Sequence, residues 1–274
     1  MSNVLVVDIG TQSMRGIIFD EHGNLLVKEQ IKYKPYLAPE NGFMEQDQQM
    51  YEDAMFGILR TITANHPDFV KDVVAMSVDA FRDTTVLLDE HNKPVRNTIL
   101  WSDQRTADVS KKLPLKQRFL FKLVGMDRAI RAIRRKTKSR WVQQHEPEVW
   151  ARVKKVVCFS AYMNSLLVGK LVDCYASSMG HIPFDNKGKK WMGKHSLLFP
   201  VFDLTVEQVE IPLFAPGEVM GYVTAEAAAK SGLPEGLRVI ASGSDKGCET
   251  IGVGCLERNT ASVSFGTSSS VQFT

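Results

Sequence analysis

Residues 4–20, VLVVDIGTQSMRGIIFD, constrain the fold more than any other stretch of the chain. An apolar run ends in Asp8 and Gly10, passes through Thr11, Gln12 and Ser13, and returns as a second apolar run. Two such runs around a short polar tip predict a tight β-hairpin. A third strand is predicted over 25–33, joined through the turn cluster DEHGN. Apolar residues spaced from Met50 to Ile62 predict a helix over 46–64, with Asp47 near its start. Strands follow at 73–78 and 85–88. Three linked strands, a helical crossover and a further strand predict an α/β class with a mixed sheet and packed helices.

Further along, helical pieces are expected at 140–144, 147–154 and 162–168, the last ending at Gly169. A strand is expected at 156–159 and a loop over 175–198. A strand at 221–223, a short helix at 225–229 stopped by Gly232, a strand at 238–241 and a helix at 245–253 come next. Residues 260–274 read as a second hairpin whose tip, 266–270, repeats the Gly-Thr-x-Ser order of the first.

Composition excludes several classes. The net charge of +3 over 274 residues is too small to argue for nucleic acid or a membrane. Twelve basic residues and one acidic residue crowd into 111–140, which reads as a solvated helical face or a phosphate-binding patch. The four cysteines, Cys158, Cys174, Cys248 and Cys255, form no C-x-x-C, and no histidines accompany them at metal-ligand spacing. They read as free thiols in a reducing compartment. With no leader-like start and no run near the ~18 apolar residues of a membrane helix, the expectation is a soluble cytoplasmic protein.

The chemistry-bearing residues gather at strand ends. Gly10 lets the backbone turn tightly, and successive N–H groups in such a turn make an anion-binding concavity. Thr11, Gln12 and Ser13 add side-chain donors there and Arg15 a fixed charge. Asp8 can hold Mg2+ directly or through water, because Mg2+ retains several waters and few carboxylates. Gly266 and Thr267 stand at the tip of the second hairpin, either as a matching cradle or as an ordinary hydroxyl-rich turn. Asp245 follows an apolar strand between glycines. It is a candidate to accept the proton of an attacking hydroxyl, or an N-cap for the next helix. Arg82 and Asp83 offer a donor and an acceptor to a polyol, or form a surface ion pair. Trp101 can stack on a sugar face with Asp103 at its rim, or belong to the core.

In order along the chain stand GFMEQD at 42–47, ILWSDQRT at 99–106, HEPEVW at 145–150, PGEVMGYVTAEAAAKSGLPEGLRVIASGSDKG at 216–247 and TASVSFGTS at 260–268, after DIGTQSMRGIIFD at 8–20. On these motifs the chain resembles the N-terminal domain of the FGGY carbohydrate kinases, which include glycerol, xylulose, ribulose and gluconate kinases. The resemblance implies an actin-like ATPase (ribonuclease H-like) fold, with a mixed five-stranded sheet, helices on both faces and a cleft between two domains. It implies ATP and Mg2+ as cofactors, a small sugar or polyol as partner, and neither nucleic acid nor membrane; a homodimer is left open. It implies Asp245 as catalytic base, Asp8 at the metal, and Thr11, Gln12, Ser13, Arg15, Gly266 and Thr267 at the nucleotide. Arg82, Asp83, Trp101, Asp103 and Lys246 are implied at the substrate.

Two departures bear on substrate. Gly-Ser-Asp-Lys replaces the family's Gly-Gly-Gly-Asp or Gly-Asp-Gln, so Lys246 is expected either to lower the proton affinity of Asp245 or to contact an anionic substrate group. Arg82-Asp83-Thr84 is closer to the Arg-Glu-Thr of glycerol kinases than to the Met-His of xylulose kinases, a lean towards a small polyol. Family enzymes are longer, so residues 1–255 are expected to form the sugar-binding domain and 256–274 the first hairpin of a nucleotide-binding domain otherwise absent. A fragment of that kind should bind sugar weakly, bind ATP very poorly and turn over little. The alternatives are an actin- or chaperone-like ATPase module and a catalytically impaired sugar-binding regulator.

Overall fold

The computed structural model describes residues 2–34, 36–110, 112–178, 180–265 and 269–273. Its centre is a meander of β1 (Asn3–Ile9), β2 (Ser13–Phe19) and β3 (Leu25–Lys32), antiparallel throughout. Leu5, Val7 and Ile9 alternate along β1 with no exposed surface, because the face they share packs into the main apolar core. Its second neighbour is β4 (Val73–Ala80), which runs parallel. A parallel neighbour requires a crossover, and α1 (Gln48–Asn65) supplies it. The Asp47 side chain caps α1 by accepting from the Gln49 N–H at 2.9 Å. Tyr51, Met55, Ile58, Leu59 and Ile62 form its fully buried stripe. A Cβ on Gly16 of β2 would stand 2.4 Å from Ile62 Cδ1, so a bare backbone there lets α1 close onto the sheet.

The sheet has six strands in the order β7-β8-β4-β1-β2-β3, where β7 is Val219–Tyr222 and β8 is Arg238–Ile240. The expected count of five fails for a definite reason. The run at 85–88 does form a strand, β5 (Thr85–Leu88), but it leaves the main sheet to pair antiparallel with β6 (Lys155–Cys158). Two later strands take its place, β8 parallel to β4 and β7 antiparallel at the edge. Helices α1 and α5 (Phe159–Val168) pack on the sheet. Gly169, at φ +72°, ends α5, and Gly232, at φ +77°, ends α6 (Ala225–Ser231), as their positions predicted.

A second apolar cluster lies around β5 and β6 and includes Leu87, Ile99, Val142, Val156 and Phe202. The basic run folds as α2 (Leu115–Leu123), α3 (Asp127–Lys136) and the start of α4 (Lys138–His145). It is not solvated throughout. Arg140 is 1% exposed, paired with Asp203 and donating to the Val201 carbonyl at 2.9 Å. Residues 175–198 also contain a short ladder, Phe184–Asp185 against Lys190–Trp191, where a plain loop was expected.

Candidate active site

The C-terminal ends of β1 and β4 lie side by side, with Asp8 in register with Asp79. A parallel bridge from Ala80 to Ser244 extends that edge to the glycine-containing loop after β8. Ligand crevices in open α/β sheets form at such carboxyl ends. The first hairpin turns sharply here: the Gly10 N–H donates to the Ser13 carbonyl at 3.0 Å, and a Cβ on Gly10 would stand 3.2 Å from that oxygen.

Strand pairing places Arg15 opposite Asp8, and the two form an ion pair at 2.6 Å. Arg15 is therefore engaged by Asp8 instead of standing free at the tip. Ser13 is buried, and its hydroxyl accepts from Gln30 Nε2 at 2.9 Å, so it faces β3 and not the mouth of the turn. Thr11 and Gln12 remain at the tip. The Thr11 carbonyl accepts from Gln46 Nε2 at 3.0 Å, which braces the turn from the start of α1.

Asp245 opens α7 (Asp245–Gly252). The N-cap of that helix is Ser244, whose hydroxyl accepts from the Gly247 N–H. The capping role is thereby filled by the neighbour, and the Asp245 carboxylate accepts only from the Lys246 N–H, at 2.8 Å, among the described residues. Burial pushes its pKa up, outweighing the attraction of Arg82 and Lys246. The expected lowering by Lys246 is thus present but loses. Lys246 is also diverted: its Nζ pairs with Glu249 at 2.6 Å and donates to Ser264 Oγ at 2.9 Å.

Asp79 was not singled out from the sequence, although it ends an apolar strand as Asp8 does. Burial, with the charges of Asp8 and Asp245 behind it, pushes its carboxyl up to about 7. The Cys248 thiol lies beside it and is itself pushed up to about 12, chiefly by burial. Asp79 Oδ1 is buried without a hydrogen-bond partner.

Beside this edge is a cleft of about 180 Å3 lined by Phe81, Arg82, Asp83, Trp101, Asp245, Lys246 and Ser270. The fold therefore brings four of the five substrate candidates to the wall that holds Asp245. The fifth, Asp103, points elsewhere. Its side chain has no exposed surface, and it is held by Arg105 at 2.9 Å, Lys138 at 3.3 Å and the Met44 N–H at 2.7 Å. Its charge serves a buried ion cluster that includes Glu45, and the Arg105 guanidinium stacks on Phe43. Gly266 and Thr267 lie outside the described residues. No group of three metal-ligating side chains is gathered closely enough to hold a metal among the described residues.

This sheet, with carboxylates at the ends of adjacent strands beside a hydroxyl-bearing turn, defines an actin-like domain of the sugar-kinase type. The chain belongs to the FGGY family of carbohydrate kinases, whose N-terminal domain matches residues 3–252. It is 30% identical over 271 residues to a xylulose kinase of Lactococcus lactis, covering 98% of this chain and 52% of that protein. A gluconokinase of Bacillus subtilis is 23% identical over 273 residues, covering 99% of this chain and 52% of that protein. Among solved structures, xylulose kinase from Rhodospirillum rubrum aligns with a TM-score of 0.80 at 24% identity, over 98% of this chain and 54% of that one. The chain spans about half the length of the curated relatives it matches. No helix among the described residues is long and apolar enough to cross a membrane.

Proposed function

We propose that this chain is the sugar-binding, base-bearing half of an ATP-dependent carbohydrate kinase acting on a neutral pentulose or polyol. The observation that carries the reading is the convergence of Asp245, Arg82, Asp83 and Trp101 on one cleft, next to the strand end that carries Asp8. Trp101 offers an indole face to the sugar, and Arg82 and Asp83 offer a donor and an acceptor to its hydroxyls. Asp245 takes the proton of the acceptor hydroxyl, and its raised pKa makes it a better base than an exposed carboxylate.

MgATP supplies the phosphoryl group and the charge stabilisation it needs. Thr11 and Gln12 meet its phosphates from the hairpin tip, a reading supported by their position beside Gly10. Asp8 suits a cation held largely through water, since its carboxylate is already shared with Arg15. The unpartnered Asp79 oxygen on the adjoining strand adds an acceptor for such a water. We assign 256–274 to the first hairpin of the nucleotide-binding half, supported by the exposed Val263, Phe265, Val271 and Phe273 and by the length of the relatives. Four free thiols suit a reducing cytoplasm.

Calorimetry of this chain against pentuloses, hexuloses, gluconate, glycerol and other polyols tests the binding half of the reading. A chaperone-like ATPase module would ignore all of them. In the longer two-domain protein, Asp245→Asn lowers kcat about a thousandfold while sugar affinity stays within about threefold. Retention of more than about a tenth of kcat removes Asp245 from the role of base.

A further inference from the structure

Asp83 lies on the cleft wall with its backbone at φ +58°, in the left-handed region that disfavours a residue with a Cβ. Such a conformation persists where the surroundings hold it, and here they do. Two donors from one distant residue converge on Asp83 Oδ1, the His181 backbone N–H at 3.0 Å and the His181 Nδ1 at 2.7 Å. The preceding Gly180 has φ +112°, and a Cβ there would stand 2.2 Å from Asp83 Oδ1 and 2.7 Å from its Cα. Only a glycine lets the two loops approach this closely. Asp83 Oδ2 has no hydrogen-bond partner among the described residues. The pair is only partly buried, the side chains being 24% and 35% exposed, so water alone would leave an unclamped Asp83 free to change rotamer.

We infer that His181 is a positioning residue for substrate specificity: with its ring Nδ1 and its own backbone N–H it clamps Asp83 Oδ1, Gly180 leaving room for the approach, and so presents Asp83 Oδ2 as a fixed acceptor for one hydroxyl of the bound carbohydrate. The inference rests on the carbohydrate-binding reading of the same cleft and adds how that cleft selects its ligand. A carboxylate can only accept, so His181 Nδ1 carries the hydrogen and the imidazole holds a single tautomer. A fixed acceptor rejects a ligand that lacks the matching hydroxyl, because the desolvated carboxylate oxygen is then left unpaired. A mobile carboxylate loses that discrimination, since it can turn to water instead. Nothing in local sequence points to His181, which lies 98 residues from Asp83.

Calorimetry of this chain with D-xylulose and its monodeoxy analogues tests the inference. One analogue is expected to bind about tenfold more weakly than D-xylulose, from the loss of one charge-assisted hydrogen bond. His181→Phe keeps a ring and removes the Nδ1 donor. It should weaken D-xylulose about tenfold and that analogue hardly at all, which collapses the preference. His181→Asn restores a donor near the same position and should recover D-xylulose affinity to within about threefold. Preservation of the preference in His181→Phe overturns the inference, as does an equal loss in the Phe and Asn variants. Failure of the unmutated chain to bind any carbohydrate overturns the carbohydrate reading and this inference with it. The clamp is read separately by the 15N shifts of His181 without ligand: loss of the Nδ1–H tautomer in Asp83→Ala, which removes the acceptor, supports the clamp, and an unchanged tautomer overturns it.

Discussion

Two hairpins of similar sequence pattern meet opposite fates in this molecule. The first, β1–β2, sits inside a six-stranded sheet with β4 on one side and β3 on the other. The second, β9 (Ala261–Ser264) with β10 (Ser270–Phe273), forms a two-stranded sheet by itself. Ile18 in the first has no exposed surface, whereas Phe273 in the second is 80% exposed. A two-stranded hairpin is marginal in water without a packed face. Strand-turn-strand patterning therefore specifies a hairpin, and neighbours decide whether that hairpin carries stability. Among the described residues, the polar contacts that tie the second hairpin to the rest include Lys246 with Ser264 and Thr250 with Gln272.

Truncation tests that contrast most strongly. Ile18→Ala is expected to cost about 3 kcal/mol in urea denaturation, from lost burial plus a cavity. Val271→Ala in β10 should cost less than about 0.5 kcal/mol, because its side chain is already in water. Equal costs would break the comparison. A smaller effect comes from pH. The Asp79 carboxyl rises from 3.8 in the unfolded chain to about 7 when folded, so its contribution is fully present below about pH 4 and is lost as pH climbs through about 7. A rise of that size corresponds to at most about 4 kcal/mol. Part of it is repulsion from Asp8 and Asp245, which fades as they protonate, so about 2 kcal/mol should disappear over that window, and Asp79→Asn should flatten the curve. Amide exchange in β1 and β4 should follow this loss, while β9 and β10 exchange at their own rate throughout. A smaller effect again belongs to Lys246→Ala, which releases Glu249 and Ser264. About 0.5 kcal/mol is expected, confined to faster proteolysis or exchange of the second hairpin with the sheet unaffected.

The placement of the candidate residues was legible in the sequence wherever one element determined it. Asp8, Thr11 and Gln12 lie at or beside the tip where the sequence put them because a hairpin tip is local, and Asp245 lies past its strand because it follows directly on the strand-and-loop run after Arg238. Asp103 misled because its partners, Arg105 and Lys138, turn it into the core, and Lys138 comes from a helix thirty-five residues away. Ser13 misled because the pleat decides which face a strand residue takes, and that face was set by Gln30 and β3. Asp79 carried a usable signal, a carboxylate at the end of an apolar strand, and only its register with Asp8 gave that signal meaning. His181 carried none.

What the amino-acid order determined by itself is the set of short-range units: the meander, the capped helix α1, the glycine stops after α5 and α6, and the acidic and hydroxyl residues at the turns. These follow from side-chain period, capping and backbone sterics, all of which act over a few residues. What the tertiary structure decided is which units share a sheet, which charges face each other and which face water. Strand order, the Asp8–Asp79 register and the Asp83–His181 clamp all join residues far apart in the chain. Such pairings are selected by the collective burial of apolar surface over the whole domain, and no local window contains that sum.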